Sequence, residues 1–330
     1  MKHYKLPALL LAFALLFTLS ACKTGEDAPE PEIRLAVLSG PTGIGAARLL
    51  SGADNGGSGL RAKYAYNIYT DNSELVAGLS KGELDIATMA SNVAVNLYNK
   101  TGGEVKIIAA GTLGVLHILE GSGGTEISSI ADLAGRTVWS AGQGANPEYI
   151  LRGLLERSGL TPGEDVELVF ADAAEISAKL LSGDIECAML PVPAATAAIA
   201  KGEGKVRAAI DVTEAWDALQ SGSRLVMTAV VARTAFVEEH PELVDAFLAD
   251  YEESINYVNN NIDEAAELAA GYGLAPSAAI AKQAIPQCHL VFLSGNEMLS
   301  ALSDYFHVLW SIDPDSVGGS VPSDRIYYIP

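Results

Sequence analysis

The sequence is short of cysteine and of positive charge, and each shortage narrows what the protein can be. It holds 3 cysteines in 330 residues, with no CxxC pair and no spacing typical of a structural zinc site. It has 21 Lys and Arg residues against 41 Asp and Glu residues, which gives a formal net charge of −20. Nucleic acids and anionic membrane surfaces are therefore poor partners, while a hydrophobic content of 49% predicts globular cores.

Motifs of nucleotide binding and of hydrolysis are also missing. The chain has no GxGxxG, no GK[ST] phosphate loop, no GxSxG and no HExxH. Cys288-His289 with His307 matches no common metal spacing, so core packing is the favoured interpretation there. We expect no cofactor, no metal and no catalytic residue. The histidines of the mature chain are interpreted as structural, namely His117, His240, His289 and His307.

The two cysteines beyond the N-terminal region lie in apolar segments. Cys187 follows Ile185-Glu186, and Cys288 follows Ile285-Pro286-Gln287. We interpret both as buried free thiols, with a disulfide between them as the alternative.

What the chain does have begins with an export signal. Lys2 and Lys5 precede an apolar run from Leu6 to Leu19, which is too short for a typical membrane span. The Leu19-Ser20-Ala21-Cys22 that follows is similar to a bacterial lipobox, which implies a signal peptide over residues 1–21 and acylation of Cys22. An uncleaved anchor or a different cleavage site is the alternative, and each of these places the protein outside the cytoplasmic membrane.

A polar tether and then the body follow the lipobox. Residues 22–32 contain KTGEDAPEPE, which cannot bury a core. Removal of residues 1–21 deletes two lysines and no acids, so the formal charge of the remainder is −22.

The stretch Gly135–Leu155 reads as a strand, a glycine-rich turn and the start of a helix. Thr137, Val138 and Trp139 favour a strand, and SAGQG forms the turn. Asn146 is predicted to cap the following helix, with Pro147 and Glu148 in its first turn. Such a turn offers backbone N–H groups to an anion or another polar ligand.

The same order of strand, glycine-rich turn and helix occurs earlier in the chain. Ile33–Leu38 predicts a strand that leads into SGPTGIG and a helix. Downstream, the segments around Gly82 and Gly183 match in their alanines, leucine, acids and apolar positions without a gap, at an offset of 183 − 82 = 101 residues. A repeat of this length predicts two similar α/β lobes.

Two long apolar segments are predicted to connect the lobes. Val105–Glu120 carries Gly111 and Gly114 where the first crossing is expected, and Gly222–Ala232 is the second.

In their order and spacing these segments resemble a known family. The lipobox, the acidic tether and the stretches SGPTGIGAA, KGELDIATMASNVA, GQGANPEYILRGLL, SGDIECAMLPVPAA and VGGSVPSDRIYY resemble the solute-binding lipoproteins of ABC importers, in the branch with sulfonate, taurine, nitrate and thiamine-precursor (NMT1/THI5-like) binders. The resemblance covers essentially the whole mature chain and implies a two-lobe periplasmic-binding-protein fold (type II-like, α/β) with two hinge crossings.

On that pattern, lobe 1 would comprise residues 33–113 and 225–330, and lobe 2 residues 114–224. The family takes its ligand from the loops after the strands. Carried over to this sequence, the ligand-binding residues are Ser39, Gly40, Pro41, Thr42, Gly43, Ser91, Asn92, Gly111, Thr112, Gly142, Gln143, Gly144, Ala145, Asn146, Pro191 and Pro193.

The chain departs from the family pattern in two places. The second-lobe strand of the family often ends in a proline with an acidic neighbour, whereas Pro191-Val192-Pro193 has no acid, so an acidic contact to a cationic ligand is not implied. The cysteine cluster of the related pyrimidine synthases is absent as well, so their chemistry is not implied either.

Three aromatic residues, Trp139, Tyr149 and Trp216, are the best placed to face a cleft. For Trp139 a core position is an equal alternative, although we include it among the candidate ligand-binding residues. Arg224, near the second crossing, fits either a surface charge or a partner for an anionic ligand.

The sequence thus predicts a lipid-anchored monomer that captures a small polar, anionic or heteroaromatic solute and passes it to an ABC permease and its ATPase. Backbone N–H groups after Ser39 and Gly144 would hold an oxyanion or a ring acceptor. The alternative is an extracytoplasmic sensor of the same fold that signals to a membrane receptor.

Replacement of Gly144 by a bulky residue is predicted to weaken solute binding while leaving the fold and the membrane attachment intact, because the loop would lose its room for a ligand. Titration of the variant with the solute measures this, and an unchanged affinity would remove the loop from the site.

Overall fold

The computed structural model describes residues 31–219 and 223–330. The expected signal peptide, Cys22, the tether up to residue 30 and the Gly222 end of the second crossing lie outside the described residues. Residues from Ile33 to Pro330 form one compact unit.

Eleven strands occur in the described residues, and the two predicted from the sequence, at Ile33–Leu38 and at Thr137 to Trp139, are among them. They are β1 (Glu32–Leu38), β2 (Lys63–Tyr69), β3 (Ile86–Ala90), β4 (Val105–Thr112), β5 (Leu116–Glu120), β6 (Thr137–Ser140), β7 (Glu167–Phe170), β8 (Cys187–Pro191), β9 (Arg207–Asp211), β10 (Thr228–Arg233) and β11 (Leu290–Leu293).

The α-helices of the described residues alternate with these strands over most of the chain. They are α1 (Pro41–Ile44), α2 (Ala47–Asp54), α3 (Asn72–Lys81), α4 (Ser91–Thr101), α5 (Asn146–Arg157), α6 (Ala173–Ser182), α7 (Ala194–Lys201), α8 (Val212–Leu219), α9 (Thr234–Glu239), α10 (Pro241–Asn260), α11 (Ile262–Gly271), α12 (Ala278–Ala284) and α13 (Gly295–Ile312). Short 3₁₀ turns lie at 130–133, 285–287, 314–317 and 324–326.

The strands form two sheets. The first has the order β11-β4-β10-β3-β1-β2, and the second has the order β7-β6-β8-β5-β9. In the first, β1 and β3 are parallel, and β10 lies antiparallel between β3 and β4, so β1, β3 and β4 run in one direction. In the second, β6 is parallel to β8. The carboxyl ends of β1, β3 and β4 therefore meet at one edge, and those of β6 and β8 meet at another.

The chain changes sheet twice. It leaves the first sheet after Thr112 and enters the second at Leu116, within the predicted first crossing. It returns between Asp211, the last residue of β9, and Thr228, the first residue of β10.

The internal repeat is visible in the backbone. Both α3 and α6 end in a glycine in the left-handed conformation, Gly82 (φ 71°) and Gly183 (φ 83°), before a buried strand. A residue with a Cβ rarely adopts this φ, which is why glycine stands at both equivalent positions.

The main hydrophobic core is continuous between the two sheets. It includes Leu35 and Val138, one from each sheet, and α13 contacts both α5 and β4. A smaller cluster, with Leu119, Ile176 and Leu180, lies under α6 and α7 on the second sheet. The buried residues of α10 recur with a helical period and include Val244, Phe247, Leu248, Tyr251, Ile255 and Val258.

Both cysteines are buried and free, as predicted. Burial raises the pKa of Cys187 and of Cys288 to about 12, so each is a neutral thiol at physiological pH.

No helix in the described part of the chain is both long enough and apolar enough to span a bilayer.

Asp85 ties the first sheet together electrostatically. Its side chain is 4% exposed, and its carboxylate accepts hydrogen bonds from Arg34 Nη2 at 2.5 Å and Arg233 Nη2 at 2.7 Å. Burial alone would raise the pKa of Asp85, but the hydrogen bonds from Arg34 and Arg233 outweigh it and lower the pKa below its ordinary value.

The Asp85→Asn variant is predicted to lose about 2 to 3 kcal/mol of stability at pH 7, because two arginines lose the carboxylate they share. Urea unfolding measures the difference. A lowered pKa means that the carboxylate stabilises the fold above the ordinary Asp pKa, so the difference from wild type should shrink as the pH falls through the lowered value.

Glu83→Gln is the matched control, since it removes the same charge from an exposed side chain two residues earlier. Equal stability of the Asp85→Asn and Glu83→Gln variants at pH 7 would contradict this role for Asp85.

Candidate functional site

Most of the predicted ligand-binding residues lie where strands end. Ser39 and Gly40 follow β1, Ser91 and Asn92 follow β3, and Gly111 and Thr112 end β4, all at the carboxyl edge of the first sheet. In the second sheet, the loop 142–146 follows β6, and Pro191 ends β8. Ligands of open α/β sheets bind at such edges.

The structure brings two of these loops into direct contact. Asn146 Nδ2 donates to Ser91 Oγ at 3.1 Å and to the Met227 carbonyl at 2.8 Å. Asn92 Nδ2 donates to the Gly144 carbonyl at 3.3 Å. The loop after β6 of the second sheet therefore lies against the start of α4 at the edge of the first sheet.

Asn146 is fully buried and fully bonded. Besides its two donated hydrogen bonds, its Oδ1 accepts one from Tyr305 OH of α13 at 3.1 Å. The prediction that Asn146 caps α5 is wrong, since Ala145 occupies the cap position with an extended backbone and Asn146 is the first helical residue. The side chain reaches across to the other sheet and leaves the helix end without a side-chain cap.

Tyr305 was not indicated by the sequence. It lies 159 residues from Asn146, on a helix whose apolar pattern predicts only core positions. It is completely buried, which raises its pKa and keeps the hydroxyl protonated as a donor to Asn146. Its ring packs edge-on against Trp216 at a centroid distance of 5.9 Å.

Two N–H groups of the first glycine loop, those of Ser39 and Gly43, are engaged within the chain. Ser39 N donates to the Tyr69 carbonyl at 2.7 Å, and Ser39 Oγ donates to the Gly273 carbonyl at 3.1 Å. Gly43 N donates to the Gly40 carbonyl at 3.1 Å.

The Gly144 N–H group of the second glycine loop is bound by an acidic side chain. Gly144 N donates to Glu148 Oε2 at 2.9 Å, and Arg152 holds the other oxygen of that carboxylate through Nη2 at 2.8 Å. Gly142, Gln143 and Gly144 are exposed.

Three threonine hydroxyls lie at the carboxyl edge of the first sheet. Thr228 Oγ1 donates to Thr42 Oγ1 at 3.3 Å, and Thr112 stands directly opposite Thr228 in the β4–β10 ladder. All three are at least 91% buried, and Thr112 Oγ1 has no partner among the described residues. Gly111 lies so close to the Tyr251 hydroxyl that a Cβ there would collide with it.

The first crossing is packed by residues from both sides. His289 Nδ1 lies 2.5 Å from the Gly114 carbonyl, and a Cβ on Gly114 would collide with Thr213. The pKa of His117, in β5, is lowered mainly by burial, with Asp211 opposing the shift and His289 adding to it. His117 and His289 therefore both lie near the first crossing.

The two tryptophans predicted to face a cleft, Trp139 and Trp216, occupy different environments. Trp216 is fully buried, and its Nε1 donates to the Ser223 carbonyl at 3.0 Å, so the interpretation that it faces a cleft is wrong. Trp139 is half-buried in β6, with Lys179 Nζ 5.2 Å from the ring centroid, and it packs against the cluster under α6 and α7. Its contact with a solute stays a prediction.

The remaining candidates are placed as follows. Val192 N donates to the Val115 carbonyl at 3.0 Å, which holds Pro191 and Pro193 beside the first crossing. Arg224 is exposed. Within residues 31–219 and 223–330, His, Cys, Asp and Glu side chains form no cluster that could hold a metal ion.

One comparison with known proteins shows the family. Residues 58–265 match the NMT1/THI5-like family, so the chain belongs to it. No curated protein sequence matches the chain.

Solved structures resemble the chain over nearly its whole length. An ABC transporter from Parabacteroides distasonis is 25% identical with a TM-score of 0.74, over 90% of this chain and 98% of that one. The periplasmic aliphatic sulphonate binding protein SsuA from Escherichia coli is 16% identical with a TM-score of 0.72, over 92% and 93%. The alkanesulfonate-binding protein SsuA from Xanthomonas axonopodis pv. citri, bound to MOPS, is 13% identical with a TM-score of 0.68, over 92% and 100%.

These likenesses confirm the predicted fold class, the two-lobe α/β fold of periplasmic binding proteins.

The Asn146→Ala variant is predicted to lose about 2 to 3 kcal/mol of stability, since it breaks three buried hydrogen bonds and leaves the buried Tyr305 OH without its acceptor. Tyr305→Phe should lose about 1 kcal/mol, because it removes one of the three. Urea unfolding of both variants measures these values.

Gln143→Ala, in the exposed part of the same loop, is the control and should stay within about 0.5 kcal/mol of wild type. An Asn146→Ala variant as stable as the control would mean that Asn146 does not hold the two sheets together.

Proposed function

We propose that this chain is the extracytoplasmic solute-binding component of an ABC importer, which captures a small polar solute between two lobes. The observation that carries the proposal is the contact of Asn146 with Ser91 and Met227, because it joins the strand-end loops of two separate sheets. A solute held at both carboxyl edges would bind the two lobes at once.

The lobes of this proposal are residues 33–113 with 225–330, and residues 114–224. In support, the strands of the first sheet belong to the first set of residues and those of the second sheet to residues 114–224. The chain passes between the two sheets twice. Gly114 would be a pivot of the first crossing, where its carbonyl and its Cα are both closely packed.

The contacts of Asn146 would belong to the closed arrangement. A net contribution of about 1 kcal/mol for each of its three hydrogen bonds gives about 3 kcal/mol that opening would forfeit. A solute that binds both lobes would add to this closed-state preference and shift the population further toward it.

Cellular placement follows from the N-terminal segment. Acylation of Cys22 would anchor the protein at the outer face of the cell membrane, with residues 22–32 as a tether. From there a monomer would deliver its solute, chemically unchanged, to the permease and ATPase subunits. The proposal includes no catalytic step.

A screen of polar solutes by thermal shift is predicted to find a ligand that raises the melting temperature. At a solute concentration of 100 Kd the stabilisation is about 2.7 kcal/mol, which corresponds to a rise of about 4 °C for a protein of this size. The panel would contain sulfonates, carboxylates, pyrimidines and nucleobases, and mass spectrometry would identify any solute that copurifies with the protein.

Asn146→Ala serves as the comparison in the same screen and should respond to the solute with a smaller rise. Absence of both a stabilising ligand and a copurified solute would count against the proposed function.

A further inference from the structure

The start of α5 already carries an anion that belongs to the chain itself. Glu148 Oε2 lies 2.9 Å from Gly144 N, in the loop where the sequence predicted an oxyanion. The Glu148 side chain is 13% exposed, and Arg152 binds its other oxygen through Nε at 2.9 Å and Nη2 at 2.8 Å. The carboxylate thus satisfies the positive end of the helix and is held there by a second residue.

Three neighbouring positions, Ala145, Pro147 and Glu148, offer no free N–H group. Ala145 N donates to the Gly142 carbonyl at 3.1 Å, Glu148 N donates to the Ala145 carbonyl at 3.1 Å, and Pro147 has no N–H. To bind at Gly144 N, an oxyanion from solution would have to displace a tethered carboxylate or sit beside it. Close like charges in a partly buried site cost several kcal/mol.

Four backbone N–H groups at the facing edge, at positions 39, 43, 90 and 91, are bonded within the chain as well. Ser39 N and Gly43 N are bonded to backbone carbonyls, and Ser91 N donates to the Met227 carbonyl at 3.1 Å. Ala90 N donates to Asn72 Oδ1 at 3.1 Å.

What the first sheet does offer is a fixed acceptor. Asn92 is fully buried, and its Nδ2 donates to two carbonyls, those of Gly144 and Ser316, each at 3.3 Å. A 180° turn of the amide would place its oxygen against both carbonyl oxygens, so the amide orientation is determined. Asn92 Oδ1 is left without a donor among the described residues. A buried acceptor of this kind favours a ligand that brings an N–H or O–H group.

The buried carboxylates of the described residues form ion pairs away from the two glycine loops. Asp85, Glu120 and Asp250 are each paired with an arginine away from the two glycine loops, namely Arg34, Arg207 and Arg61. The residues that join the two sheets are amides and hydroxyls, so no buried side chain described at the contact supplies a counter-charge to an anion.

We propose that the site selects an uncharged solute that donates hydrogen bonds, and that Glu148 excludes oxyanions from the start of α5. The inference rests on the proposed function and gives its solute class. It sets this chain apart from the two structural neighbours described as sulfonate-binding proteins.

Two pairs of nearly isosteric probes test the proposal, methanesulfonate with methanesulfonamide and benzoate with benzamide. Each pair keeps its shape while it exchanges an anion for a neutral N–H donor. Calorimetric titration of the wild-type protein should give at least about tenfold tighter binding of the neutral member, equivalent to 1.4 kcal/mol. Equal or tighter binding of the anions would overturn the proposal.

Glu148→Gln keeps the shape of the side chain and removes its charge. It should raise the affinity for the anionic probes about tenfold and leave the neutral probes within about twofold. Glu156→Gln is the matched control, since it changes the net charge equally at an exposed position of the same helix. An equal gain in both variants would overturn the role of Glu148, because it would reflect net charge alone.

Sulfate decides the case in which none of the four probes binds the wild-type protein. The rise in melting temperature with sulfate is then compared in three proteins: wild type, Glu148→Gln and Glu156→Gln. A larger rise for Glu148→Gln than for the other two supports the proposal, and an equal rise in all three overturns it. The proposed function fails by a different result, the absence of any copurified or screened solute, which does not depend on Glu148.

Discussion

The insertion of Asn146 between two sheets is the interaction on which the rest of the site depends. One amide makes hydrogen bonds to Ser91, to the Met227 carbonyl and to Tyr305, and it is completely buried. Each donor or acceptor of a buried amide that is left unused costs free energy, so the three partners of Asn146 stabilise its position together. These hydrogen bonds fix the loop after β6 against the start of α4 and place α13 behind them.

The fold supplies those partners from distant parts of the chain. Parallel strands bring Ser91 to one sheet edge and Asn146 to the facing edge, and the two crossings keep the edges opposite each other. Glu148 then satisfies the loop from within its own helix, where the positive end would otherwise attract an external anion. In our account, the glycine turn and helix start that could bind an oxyanion therefore favour neutral solutes.

The sequence predicted the architecture well because its signals are local. Glycine turns, the repeat at Gly82 and Gly183 and the apolar strands each depend on neighbouring residues, and the structure confirms them. The bonding of the site was harder to predict, since Tyr305 lies 159 residues from Asn146 and Trp216 is buried by α13. Asn146 itself has the signature of a helix cap, but a long-range contact took precedence over the local one.

A crystal structure of the protein with its copurified or screened solute would test the central claim most directly. The account predicts solute density between the two sheet edges, in contact with Asn92 or the adjoining hydroxyls on one side and with the loop 142–146 on the other. It also predicts that Glu148 still holds Gly144 N in that complex. A solute bound elsewhere, or an oxyanion seated on Gly144 N with Glu148 displaced, would contradict it.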